Sequence, residues 1–178
     1  MRAASSSPLL RPGLLDGVGV QAAPRSALVD ACAALGATVT HVETDLLDEQ
    51  ATLAAVAGTE AAVLVVDAAV PFGAGGADAL RVALDGTWSA VHARFAPEWE
   101  GKVVLVAPRA SAGDHAVALR AGLENLARTL SIEWSRHGVR TTAILPGDES
   151  SDEEVAQVVA FLASSAGDYY SGCAFGMT

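Results

Sequence analysis

The chain has 178 residues, enough for one domain with a proper core and too few for two comfortable ones. Hydrophobic residues make up 51% and charged residues 18%, which excludes a disordered chain. Eleven basic against twenty-one acidic side chains give a formal charge of −10, so neither nucleic acid nor an anionic membrane surface is an expected partner.

Residues 1–13 are read as a loose tail, in which Pro8, Arg11 and Pro12 break up any signal-peptide apolar core. Residues 14–178 alternate short apolar runs with helical stretches, the rhythm of a parallel sheet covered on both faces. Strands are predicted at Val18–Ala22, Thr38–Val42, Ala61–Val66, Lys102–Val106, Arg140–Leu145 and Gly172–Gly176. The first helix is predicted at Ser26–Leu35, stopped by Gly36, and the second runs from an Asp48 cap to Ala57 before Gly58. Asp78–Phe95 sets Leu80, Leu84, Trp88, Val91 and Phe95 on one stripe, with Pro97 as the stop. His115–Arg136 repeats the pattern with Leu119, Leu123, Leu126, Leu130 and Trp134, capped by Asp114 and followed by Gly138. Ser151 and Glu154 form a capping box that opens a helix at Asp152–Ser164. No run approaches the ~18 apolar residues of a membrane span. Cys32 and Cys173 sit far apart in apolar contexts and read as buried thiols of a cytoplasmic protein.

The stretch ALRAGLENLARTLSIEWSRHGVRTTAILPG, Ala118 to Gly147, resembles the active-site helix and following strand of the short-chain dehydrogenase/reductase family. Ala83–Ala107, Ala61–Ala69 and Glu153–Gly172 resemble other segments of that family in the same order, with the oxoacyl-carrier-protein reductase branch the nearest in feel. The resemblance implies a Rossmann-like, three-layer, doubly wound parallel α/β sheet in a single domain. One helix–strand unit looks excised after the second strand, leaving one strand fewer than the family has. The loop after Ala107 is short, and no lid follows Pro146-Gly147.

The family's chemistry does not carry over with the fold. In register, Ala116 stands where its tyrosine moves the proton and Arg120 where its lysine assists. Ala107-Pro108 replaces its serine turn and Ala83 its asparagine. A dinucleotide's pyrophosphate needs a glycine-rich turn after the first strand, and here that turn reads Ala22-Ala23-Pro24-Arg25. The expectation is therefore no catalytic, cofactor-binding or metal residue and no NAD or NADP: a pseudoenzyme acting through assembly. The alternative is an NAD(P)-dependent oxidoreductase of this family with an atypical active site, and a further one is a small-ligand sensor.

Sharper readings compete with plain ones at several positions. Asp114-His115 is either a replacement acid–base pair or a helix cap with a first-turn histidine. Arg120 either recurs as in the related halohydrin dehalogenases or pairs with Glu124 one turn on. Asp45 and Asp67 fall near strand C-termini, where such folds bind ligands, yet loop carboxylates are common there. His41, His92 and His137 lack metal-ligand companions at useful spacing. For assembly, the resemblance implies that Asp78–Phe95 and His115–Arg136 pair across a two-fold axis, in a homo-oligomer or with a full-length relative. Val82, Ala83, Ala90, Ala93, Ala116, Ala121, Ala127 and Ile132 are the candidate contact residues.

Overall fold

The computed structural model describes residues 10–95 and 98–178, so the predicted stop at Pro97 lies outside the described residues. Six strands form one sheet: β1 (Gly19–Ala23), β2 (Thr38–His41), β3 (Val63–Asp67), β4 (Lys102–Val106), β5 (Arg140–Leu145) and β6 (Cys173–Gly176). Every pairing is parallel and the order is β2-β1-β3-β4-β5-β6. This is the doubly wound α/β sheet that the sequence implies, with β2 left as an edge where the resembled family continues by another strand. The chain reverses direction across the sheet between β1 and β3, which creates a topological switch point.

The middle strands hold together because both of their faces are covered. Along β3 and β4 the runs Val63-Leu64-Val65-Val66 and Val103-Val104-Leu105-Val106 are almost wholly buried. Alternate residues feed two separate cores. One core lies under α2 (Glu49–Ala57), α4 (Ala77–Arg94) and α5 (Ala116–Glu133), and collects Leu64, Val66, Val103 and Leu105. The other lies under α1 (Asp30–Ala34) and α6 (Asp152–Ala163), and collects Val63, Val65, Val104 and Val106.

Several local expectations shift. The predicted Ser26–Leu35 helix is a 3₁₀ turn, Ala27–Val29, running into the short α1. A four-residue helix, α3 (Ala69–Phe72), goes unpredicted because Pro71 argues against it. It is pinned by Phe72, buried in the first core, a contribution of about 1.5–3 kcal/mol for a side chain of that size. Trp88 is 48% exposed and stands off the buried stripe, which instead runs through Ala83, Ala90 and Val91. The capping box at Ser151 is present as expected, with the Glu154 N–H donating to Ser151 Oγ at 3.2 Å and the Ser151 N–H donating to Glu154 Oε2 at 2.8 Å. Cys173 departs from the buried reading: β6 is an edge strand and its thiol is exposed. Cys32 is buried, and burial pushes its thiol up to about 12.

Candidate functional site

The switch point opens into a crevice of about 590 Å³ at the C-terminal ends of β1, β3, β4 and β5. Its walls are the turn and 3₁₀ helix after β1, the start of α3, the Ala107-Pro108-Arg109 segment, Pro146, and the first turn of α6. Among the lining side chains Arg25 and Arg109 are cationic, and Asp30, Asp67, Asp152 and Glu153 are acidic.

Asp67 ends β3 and is only 5% exposed, although it borders the crevice. Ser26 Oγ donates to Asp67 Oδ2 at 2.6 Å, and the Ala69 N–H donates to Asp67 Oδ1 at 3.2 Å. Ser26 also caps the 3₁₀ helix, its Oγ accepting from the Leu28 N–H at 3.2 Å. Burial pushes the Asp67 carboxyl above its usual range. The hydrogen bonds from Ser26 and Ala69 pull it back, and the nearby charge of Asp152 adds to the rise.

The two arginines come from different segments, Arg25 after β1 and Arg109 after β4. Arg25 Nη1 donates to Glu43 Oε1 at 2.8 Å, with both side chains about two-thirds exposed. Arg109 Nη2 donates to the Ser150 carbonyl at 2.6 Å and to Asp152 Oδ1 at 2.7 Å, tying the β4 loop to the head of α6. Exposed pairs of this kind contribute roughly 0–1 kcal/mol, so either guanidinium can exchange its partner for a ligand anion at small cost.

No residue of α5 lines the crevice. The Gly73–Gly76 turn and the loop before α5 are in backbone contact, the Gly76 N–H donating to the Asp114 carbonyl at 2.9 Å. A Cβ on Gly113 would lie 2.2 Å from the Ala74 carbonyl oxygen, and its φ of +140° already favours glycine. Asp114 and His115 are exposed and do not line the crevice. His115 rather than Asp114 occupies the helix cap, at φ +70°, and makes no side-chain cap bond. Ala116 is buried in the first core, and its methyl has no proton to exchange.

Arg120 does not pair with Glu124, which instead accepts from Arg128 at 2.7 Å. Its Nη1 donates to the carbonyls of Pro108 and Pro146, both at 2.7 Å. Asp45 lies outside the crevice and accepts from the Leu47 N–H in its own turn. His92 stacks on Trp88 and His137 meets the ring of Phe95 edge-on. Among the described residues no group of three side chains could hold a metal ion, and no helix is long and apolar enough to cross a membrane.

Ser26 and Glu43 have no candidate role in the sequence reading; Ser26 lines the crevice, and Glu43 meets its lining through Arg25. Ser26 opens the first helical turn after the first strand. Glu43 lies about 20 residues past the turn after β1, the spacing at which a dinucleotide fold places the carboxylate for the adenosine ribose.

No family model matches the chain, and no curated protein matches it in sequence. Solved structures do match in fold. A citronellol catabolism dehydrogenase from Pseudomonas aeruginosa PAO1 is 22% identical, over 94% of this chain and 95% of that one, with a TM-score of 0.75. A 3-oxoacyl-[acyl-carrier protein] reductase from Brucella melitensis with bound NAD is 16% identical, over 99% and 96%, with a TM-score of 0.76. BdcA in complex with NADPH is 16% identical, over 93% and 94%, with a TM-score of 0.62. The chain has the short-chain dehydrogenase/reductase fold. The likeness extends to several enzymes of that superfamily and does not single out the oxoacyl-carrier-protein reductase branch.

The expectation of no nicotinamide cofactor is corrected by two of these structures, which hold NAD and NADPH on this fold. That expectation rested on the residue types of one turn. The crevice itself is made by strand ends and helix starts as well as by that turn.

Proposed function

We propose that this chain is a nicotinamide-dinucleotide-binding member of the short-chain dehydrogenase/reductase family, an oxidoreductase with an atypical active site. The carrying observation is the crevice of about 590 Å³ at the β1/β3 switch point, with Arg25 and Arg109 in its lining. In size and place the crevice suits a dinucleotide. The turn after β1 differs from a glycine-rich cradle: Pro24 has no N–H, and Ser26 already takes the Leu28 N–H. Arg25 and Arg109 are the residues that would carry the phosphate charge instead, and Glu43 would accept from the ribose hydroxyls. When bound, the nicotinamide supplies two-electron redox chemistry; the chain's own part is to place it, exclude water and manage a proton. Titration with NADH and NADPH, read by nucleotide fluorescence, tests the reading: saturable binding supports it and its absence removes it.

A second reading is favoured by Ala116, whose burial leaves the family's proton donor without a replacement on α5. Under it the nucleotide is bound and not turned over, and the protein acts through assembly. The α4/α5 face offers the surface. Ala83, Ala90, Ala93, Ala116 and Ala127, expected at the contact, are buried inside the subunit instead. Trp88 is exposed and lines a notch with Leu84, Gly122 and Leu126, and Ile132 is exposed near the end of α5. A second copy of this chain, seated on those two side chains, is the proposed partner.

A further inference from the structure

Asp67 is used by neither reading so far, and its position is unusual. It is a carboxyl sunk into the floor of a cavity that, on the proposed reading, receives an anion. Ser26 links the two: its hydroxyl donates to Asp67 Oδ2 at 2.6 Å, while its backbone begins the turn against which a dinucleotide's phosphates lie. We propose that Asp67 is the proton-exchanging group of the crevice, taking up a proton when a dinucleotide binds and presenting the resulting carboxyl O–H to the ligand.

The inference rests on the nucleotide-binding reading and follows from charge. A carboxylate and a phosphate brought together in a partly desolvated site cannot both remain ionised without a compensating cation. The charged and hydroxyl side chains that line the crevice with Asp67 are Arg25 and Ser26 after β1, Asp30 on α1, Arg109 after β4, and Asp152 and Glu153 on α6, and of these Ser26 bonds to it and Asp152 acts on its charge. Arg25 and Arg109 are tied to Glu43 and Asp152, and Asp152 adds negative charge near Asp67. Asp152 is the charged group that acts on Asp67, so with both arginines at the phosphates the floor carboxylate stays uncompensated. Burial already disfavours its ionised form, so protonation is the least costly response. The balance is simple: one proton moves from solvent to an Asp67 oxygen as the anion enters, and returns as it leaves. A neutral carboxyl there supplies a donor in a site that has no tyrosine.

The test is isothermal titration calorimetry of the full chain with NADH at pH 6.5 in buffers of different ionisation enthalpy. The slope of heat against buffer enthalpy gives the protons taken up. The inference predicts net uptake by the unaltered protein and none by Asp67→Asn, with NADH affinity falling as pH rises only while Asp67 is present. Binding without uptake, or equal uptake by Asp67→Asn, overturns the inference and leaves the nucleotide reading intact. No binding by the unaltered protein overturns the nucleotide reading itself. If Asp67→Asn does not fold, carboxyl-carbon NMR of the unaltered protein replaces it. The Asp67 titration must then move to higher pH on adding NADH, and an unmoved titration refutes the inference.

Discussion

Arg120 reaches from α5 to the carbonyl oxygen of Pro146 and meets it at 2.7 Å, and the same Nη1 holds the Pro108 carbonyl at 2.7 Å. One side chain thus fixes the two strand-end loops that floor the crevice on the β4 and β5 side. Burial lowers the guanidinium's pKa, and the charge of Asp148 works against that change. Arg120→Met should lose two charge-assisted bonds, about 2 kcal/mol in a partly exposed setting, or roughly 4–8 °C in Tm. Arg120→Lys should recover most of the loss, because both bonds leave one nitrogen. Differential scanning calorimetry of the two variants checks this, and an unchanged Tm in Arg120→Met would show that the bonds carry no load.

Arg25 should matter to the ligand and hardly at all to the fold. Its pair with Glu43 is solvent-exposed, so Arg25→Ala should change stability by no more than about 0.5 kcal/mol. Removing the cation takes away one of the two guanidiniums assigned to the pyrophosphate, which NADH and NADPH share. The affinity for each should drop about tenfold, the size of one charge-assisted hydrogen bond. A loss confined to NADPH would place Arg25 at the 2′-phosphate instead.

Asp67 should make stability depend on pH in a particular direction. Its folded-state pKa lies above the ordinary value of 3.8, so between the two the folded protein binds the proton more tightly than the unfolded chain. Stability from this group is full below the unfolded value and is lost as pH rises through the folded one. Asp67→Asn keeps an acceptor for the Ala69 N–H and removes the buried charge. Its Tm should exceed that of the unaltered protein at neutral pH, with the gain shrinking as pH falls toward 4. A gain that grows on acidification would contradict the assignment.

Trp88 is half-exposed, and the core beneath it does not depend on its ring. Trp88→Glu should therefore leave Tm nearly unchanged while converting a dimer to monomers in light scattering. An unaltered protein that is monomeric at high concentration would remove the proposed interface.

The sheet was legible in the sequence because its middle strands are continuous apolar runs with sharp ends. The bounds of β4 and β5 agree residue for residue with Lys102–Val106 and Arg140–Leu145. Features set by tertiary contact were not legible. Phe72 holds α3 against the preference of Pro71, and the packing of the Gly113 loop on the Gly73–Gly76 turn puts His115 at the cap. Trp88 shares its helical stripe with Val91 but faces outward, since the stripe is wider than the surface it packs against. At the site, the loss of Tyr, Lys and Gly residues was plain, whereas the crevice was not. It is formed by strand ends and by side chains such as Arg25 and Arg109, far apart in sequence, and no local pattern announces it.

Amide chemical-shift mapping with NADPH tests whether a nicotinamide dinucleotide binds at this crevice. Saturable shifts are expected at Arg25, Ser26, Leu28, Glu43, Asp67 and Arg109. No shifts at millimolar NADPH, or shifts confined to the separate groove between Phe161 and Phe175, would contradict it.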